Sequence, residues 1–298
     1  MRLKAVGVIA VVLLIASLAG LTWYQSRYEG TLRVTTTTSL YATGLLDALA
    51  EEFQKVHPEV SIQFIAVGSG EALRRASLGD ADAVTVHAPS LEKQYIEQGY
   101  LIDGGIFAYN YFVIVGPKDD PAGIKGKDPI EAMRAIYQAG EEGRAVFVSR
   151  GDNSGTHVKE MAMWSVAALD PRGRPWYIEA GAGMSQTLMI ANEKRAYTLS
   201  DIGTYLKFME QLGELKVLVD KGEALINIYS VYVVNPDRVQ GVNSKLAKAF
   251  AEFLLSEEAQ EIIGNFGVSE FGRPLFYPAR GDPTGELRAA WERIAGGG

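Results

Sequence analysis

Ala145-Val146-Phe147-Val148-Ser149-Arg150-Gly151-Asp152-Asn153-Ser154-Gly155-Thr156 is the stretch on which the fold turns. Its first four residues are a short apolar run that reads as a strand. From Val158 onward, Val158, Met161, Ala162 and Ser165 recur on one helical face. Between the two lie an arginine, two hydroxyl side chains and two glycines, where a strand hands over to a helix N-terminus. Free backbone N–H groups and the positive end of the helix dipole both favour an anion at such a place. The competing reading is an ordinary capped helix, with Asp152 as the cap.

The same handover recurs along the chain. Leu32-Arg33-Val34 begins a strand that runs out in Thr35-Thr36-Thr37-Thr38-Ser39. A helix follows, with Leu45, Leu46, Leu49 and Phe53 at core spacing and His57-Pro58 as its stop. Val60 to Val67 reads as a second strand, ending in Gly68-Ser69-Gly70 before a helix with Leu73 and Ala76 inward. Ala83-Val84-Thr85-Val86 reads as a third strand and Leu91 to Gln98 as a helix. Tyr111 to Val115 is a fourth strand, stopped by Gly116-Pro117. Helices are further expected over Pro129 to Tyr137, Val158 to Leu169, Gln186 to Glu193 and, as one long element, Leu246 to Ile263. Val217 to Val219 and Ile226 to Val234 read as extended. This alternation predicts an α/β fold with mainly parallel sheets.

The extended segments near 109–115 and 226–234 have the character of crossings between two lobes. That reading divides the chain into residues 31–113 with 229–298 as lobe 1 and an inserted 114–228 as lobe 2. The alternative is a single large sheet.

Residues 1–30 stand apart. Arg2 and Lys4 precede an apolar run from Ala5 to Trp23, the pattern of a signal peptide, with Ser17-Leu18-Ala19 as a cleavage site. The run is also about long enough to serve as an uncleaved N-terminal membrane anchor. Either way the remainder is expected outside the cytoplasm, periplasmic or at the cell surface. That remainder carries 26 basic and 35 acidic residues, without a Lys/Arg block, so nucleic acid is not an expected partner. The absence of cysteine excludes disulfides, thiolate metal sites and lipid attachment through a cysteine.

Three strand ends share one chemistry. Thr38 and Ser39 offer hydroxyls. Ser69 offers a hydroxyl between two glycines at a helix start. Arg150, Ser154 and Thr156 offer a guanidinium and two more hydroxyls. Ligands of open α/β sheets bind beyond the carboxyl ends of strands, where all three segments lie. No Asp/His/Cys cluster suited to a metal cation accompanies them. Donors around one fixed positive charge suit a small, fully ionised oxyanion. Hydrogenphosphate carries a proton and calls for an acceptor; sulfate, molybdate and tungstate need donors only. Asp152 is the one acid nearby, which disfavours phosphate without excluding it. Ser154 and His157 suggest a second reading, an exported serine hydrolase. Gly151 stands one place too early for the G-x-S-x-G nucleophile elbow. Gly181-Ala182-Gly183 lacks the third glycine of a dinucleotide fingerprint but offers a fourth helix N-terminus.

At this level of detail the chain resembles the tungstate-binding proteins of ABC importers, within the type II periplasmic-binding-protein fold. Thr35 to Ser39 with Gly44-Leu45-Leu46-Asp47, Ala66 to Leu73, Gly79 to Ala83 with Val86-His87-Ala88, and Tyr109-Asn110 carry the likeness. So do Val115-Gly116-Pro117, Asp120 to Gly123, Gly183-Met184 and Tyr197 to Asp201 with Gly203-Thr204-Tyr205, and above all Ser149 to His157. The resemblance implies two α/β lobes that close on an anion and deliver it to a membrane permease driven by an ATPase subunit. It implies a monomer without catalysis or cofactor, whose ligand is tungstate or molybdate. Ligand positions carry over as Ser39 and Ser69 by hydroxyl, Arg150 by charge, Ser154 and Thr156 by hydroxyl or backbone, and Thr38. Relatives often place a second hydroxyl residue after the serine, where this chain has Leu40, and often a threonine at Ser69. The alternatives in the binding class are a molybdate, sulfate or phosphate receptor. A sensor or adhesion protein that binds no anion is the remaining one.

Overall fold

The computed structural model describes residues 29–280 and 285–296. The expected signal or anchor therefore lies outside the described residues, apart from its last two positions. Among the described residues, no helix is long and apolar enough to cross a membrane.

Ten strands form the frame: β1 Gly30–Thr37, β2 Val60–Val67, β3 Ala83–Val86, β4 Leu101–Pro117, β5 Phe147–Ser149, β6 Tyr177–Glu179, β7 Thr198–Asp201, β8 Leu215–Val219, β9 Ile226–Val234 and β10 Tyr277–Pro278. Helices intervene between most of them, so the α/β class is the one expected. The strand directions are mixed rather than mainly parallel. The main sheet runs β10-β4-β9-β3-β1-β2, and β7 and β8 pair further along β4. β1 is parallel to β2 and β3, because a helical crossover follows each of β1 and β2. β9 returns from the far end of the chain and is antiparallel to both β3 and β4. β7, β8 and β10 are antiparallel to β4 as well. Strand direction depends on which distant segment returns beside which, and local alternation does not encode that.

β4 is the longest strand and changes company along its length. From Leu101 to Tyr111 it pairs with β9, and from Phe112 onward with β7 and β8. The core changes at the same point. Phe107 and Ala108 belong with Leu32, Val34, Leu46, Phe53 and Phe250. Phe112 and Ile114 belong with Ile136, Phe147, Trp164 and Trp176. Val113 and Val115, on the other face, belong with Leu188 and Ile202.

The single helix expected over 246–263 is two, Ser244–Leu254 and Glu257–Asn265. Ser256 interrupts it. Its hydroxyl accepts from the Ala259 N–H at 3.4 Å, with Glu257 and Glu258 in the first turn behind it. Continuous amphipathic spacing masked that cap. β6, β7 and the helices Ile202–Phe208 and Glu286–Ala295 were also absent from the sequence-based expectation.

Candidate functional site

Each donor-rich segment sits just past the C-terminal end of a strand. β1 ends at Thr37, whose Oγ1 accepts from the Leu40 N–H at 3.3 Å and so starts the short helix Thr38–Thr43. β2 ends at Val67, and Gly68 caps the helix Ser69–Leu78 with extended backbone. β5 ends at Ser149. Arg150 to Asn153 then turn the chain, with Gly151 and Asn153 at positive φ, into the helix Gly155–Val166. β6 is followed by the helix Met184–Lys194, capped by Gly183.

These segments converge. Arg150 Nη2 donates to Thr38 Oγ1 at 3.2 Å. The Gly70 N–H donates to the Asn153 carbonyl at 3.3 Å. A Cβ on Gly68 would lie 3.2 Å from the Asp152 carbonyl and 3.6 Å from Ser154 Cα. A Cβ on Gly183 would lie 3.9 Å from Thr38 Oγ1, which brings that helix N-terminus to the same place. The glycines at 68 and 70 let two backbones meet where any side chain would hold them apart.

Thr38 accepts from Arg150. Ser39, Ser69, Arg150, Ser154 and Thr156 are all buried. Four buried side-chain donor atoms among them have no hydrogen-bond partner: Ser69 Oγ, Thr156 Oγ1, and Arg150 Nε and Nη1. Nearly all buried polar groups in proteins are paired, so such a cluster calls for a ligand. Ser154 has a second task. Its hydroxyl accepts from the His157 N–H at 3.2 Å as the helix cap.

Arg150 is the largest cost in the cluster. Its side chain is 1% exposed. Burial lowers its pKa, while neighbouring Asp152 opposes that shift. Asp152 Oδ2 takes Nη2 at 2.5 Å and Oδ1 accepts from the Ser154 N–H at 3.1 Å. Both oxygens of the one nearby acid are thus engaged by protein donors, and two guanidinium nitrogens remain for a ligand. Leu40 adds nothing: its side chain is in the core and its N–H is held by Thr37.

The hydrolase pairing is not formed. Ser154 meets the backbone of His157, and the His157 ring accepts from the Asn153 N–H through Nδ1 at 2.9 Å. No base lies against the Ser154 hydroxyl. The other hydroxyls of the threonine run are structural: Thr35 donates to the Ala72 carbonyl, and Thr36 accepts from Thr85.

Sequence reasoning passed over His87, although it occupies the same position, directly after β3. It is buried, pairs with Ser39 Oγ at 3.3 Å and Asn227 Oδ1 at 2.9 Å, and packs against Gly155. Burial pulls its pKa down to about 4, so the ring is neutral near pH 7. Asp201 was also missed. It is buried, caps the helix Ile202–Phe208 through Thr204, and its charge bears on Arg150.

A profile of the PBP superfamily domain matches residues 25–258. The tungstate-binding protein TupA of Peptoclostridium acidaminophilum is 40% identical over 254 residues, covering 85% of this chain and 87% of that protein. Among solved structures, the tungstate ABC transporter protein from Geobacter sulfurreducens is similar with a TM-score of 0.71 and 41% identity. The match covers 79% of this chain and 98% of that one. TupA from Desulfovibrio alaskensis gives a TM-score of 0.70 and 40% identity, over 83% and 98% of the two chains.

Proposed function

Because the chain belongs to the PBP superfamily, and within it to the TupA tungstate-binding proteins, we propose that it captures tungstate and delivers it to an ABC importer. It is a solute-binding protein rather than an enzyme. The observation that carries this reading is the set of buried, unpartnered donors on Ser69, Thr156 and Arg150. A tetrahedral dianion supplies acceptors to all of them and a countercharge to the arginine. Charge-assisted hydrogen bonds contribute about 1.5–3 kcal/mol each, so a few preplaced donors suffice for tight binding.

Residues 31–113 with 229–298 form one lobe in this reading, and 114–228 the other. The change of partners along β4 supports the division. Three contacts join the two sides: Arg150 to Thr38, the Gly70 N–H to the Asn153 carbonyl, and Lys207 Nζ to the Ala42 carbonyl at 2.6 Å. Closure brings Thr38, Ser39 and Ser69 of one lobe against Arg150, Ser154 and Thr156 of the other. The protein works as a monomer outside the cytoplasm, held by or cleaved from its N-terminal segment, and hands its ion to permease and ATPase subunits.

The test is isothermal titration calorimetry of the purified protein with tungstate, molybdate, sulfate and phosphate, followed by competition. Tungstate in first place supports the reading, with molybdate as its nearest rival. A preference for sulfate or phosphate, or no binding of any of the four, refutes it.

A further inference from the structure

A chain of buried hydrogen bonds runs from the site into the protein, and its direction can be derived. The Leu275 carbonyl can only accept, so Asn110 turns its Nδ2 toward it, at 3.3 Å. Asn110 Oδ1 then faces Asn227, which gives its own Nδ2 at 3.0 Å and shares it with the Tyr229 hydroxyl at 2.8 Å. Asn227 Oδ1 is thereby left facing His87 Nδ1 at 2.9 Å. A carbonyl oxygen offers no proton, so Nδ1 carries the hydrogen. His87 is neutral, so its Nε2 is a bare acceptor, and the group beside it is the Ser39 hydroxyl at 3.3 Å. The ring cannot turn away. It stacks on Tyr229 at 4.9 Å and Phe112 at 6.1 Å, and Gly155 closes in behind it.

We propose that Asn227 and His87 are specificity-determining positioning residues: they draw the Ser39 proton away from the anion and leave the Ser39 oxygen as an acceptor among donors. The inference rests on the oxyanion-binding reading above. It reverses the role of Ser39 that the resemblance implies. Thr37 Oγ1 lies 3.5 Å from Ser39 Oγ and can occupy one lone pair, which leaves one for the ligand. The ligand class this admits, beside a bare dianion, is a tetrahedral oxyanion that carries one proton, such as hydrogenphosphate. The ranking of tungstate over phosphate is then set by the tautomer of a histidine that touches no anion.

Two measurements on the whole protein test this. In nitrogen-15 NMR of labelled histidine, wild-type His87 is expected as the Nδ1–H tautomer, with Nε2 unprotonated. Asn227→Leu removes the oxygen that fixes the tautomer and is expected to shift it to Nε2–H. Ser39 then becomes a donor, and the ratio of tungstate to phosphate affinity in competition calorimetry rises by about tenfold or more. Should Asn227→Leu not fold, Ser39→Ala serves instead: it is expected to weaken phosphate and spare tungstate. An Nε2–H tautomer in the wild type overturns the inference. So does a wild type that phosphate fails to compete for at millimolar concentration, or an unchanged ratio in a folded variant. In those cases tungstate binding still stands, whereas loss of all anion binding in the wild type overturns the proposed function together with it.

Discussion

Arg150→Met separates what the arginine does for binding from what it does for the fold. Methionine keeps most of the length and apolar volume but removes the charge and every donor. Arg150 has two nitrogens without protein partners, Nε and Nη1. If each donates to the oxyanion at about 1.5–3 kcal/mol, their loss costs roughly 3–6 kcal/mol. That is about a hundredfold to ten-thousandfold in Kd. Asp152, left without its countercharge, pushes the effect toward the upper end. Stability without an anion is expected to move the other way. The guanidinium is almost fully buried and only one of its three nitrogens is paired, through Asp152 and Thr38. Replacing a poorly compensated buried charge by an apolar group is often neutral or stabilising. A gain of about 1 kcal/mol corresponds to about 2–4 °C in a chain this large. Calorimetry with tungstate measures the first effect, and thermal unfolding in anion-free buffer the second. A Kd within about threefold of wild type refutes the placement of Arg150 against the anion. A melting temperature ten degrees lower without anion shows that the arginine holds the fold together, against the argument from burial.

The other predictions concern single contacts. Ser69→Ala and Thr156→Val each remove a hydroxyl without a protein partner, and are expected to weaken tungstate about tenfold while leaving anion-free unfolding unchanged; a large loss of stability in either speaks against a ligand-directed hydroxyl. Gly155→Ala places a methyl 2.7 Å from the pinned His87 ring, so closure is strained by about 1–3 kcal/mol; calorimetry is expected to show at least fivefold weaker tungstate binding, and unaltered affinity contradicts the closed geometry. Burial pushes the Glu160 carboxyl up to about 7, against hydrogen bonds from Tyr177 and Trp164 that favour its ionised form. The folded state then holds a proton that the unfolded state gives up near pH 4.5, so stability from this group is complete below that pH and is lost as pH rises through 7. The loss is on the order of 3 kcal/mol; Glu160→Gln is expected to remove that slope in urea unfolding at pH 5 and pH 8, and parallel slopes for the two proteins refute it.

The elements legible in the sequence were those specified locally. β1 with its threonine run, the Gly68-Ser69-Gly70 helix start and the Ser149–Thr156 turn all announce themselves through caps, glycines and the change of apolar period. The structure places every one of them at the end of a strand. Strand direction was not legible, because β9 becomes antiparallel to β3 only through its return from 140 residues downstream. His87 was illegible as a site residue for the same kind of reason. As a lone histidine after an apolar run it carries no pattern. Its tautomer is set by Asn227 and Asn110, its ring plane by Tyr229 and Phe112, and none of these is a sequence neighbour. The break at Ser256 is a different case. Ser-Glu-Glu is a readable helix start, overridden by apolar spacing that continues through it.

The buried donors also bear on how capture is coupled to closure. Thr38, Ser39 and Ser69 come from one proposed lobe, and Arg150, Ser154 and Thr156 from the other. Closure without an anion takes Ser69, Thr156 and Arg150 out of water and gives four of their donor atoms no acceptor. Each such group costs about 1–3 kcal/mol, more for a charged one. The contacts between the sides offset little of this, since Arg150 to Thr38 and Gly70 to Asn153 are long bonds at 3.2 and 3.3 Å. An oxyanion supplies acceptors to those donors at once, so its binding energy is available only in the closed arrangement. A ligand that binds one state so much better than the other shifts the population by that difference. The permease then has a defined task. Prising Thr38 from Arg150 returns the donors to water and strips the ion of its partners in the same movement.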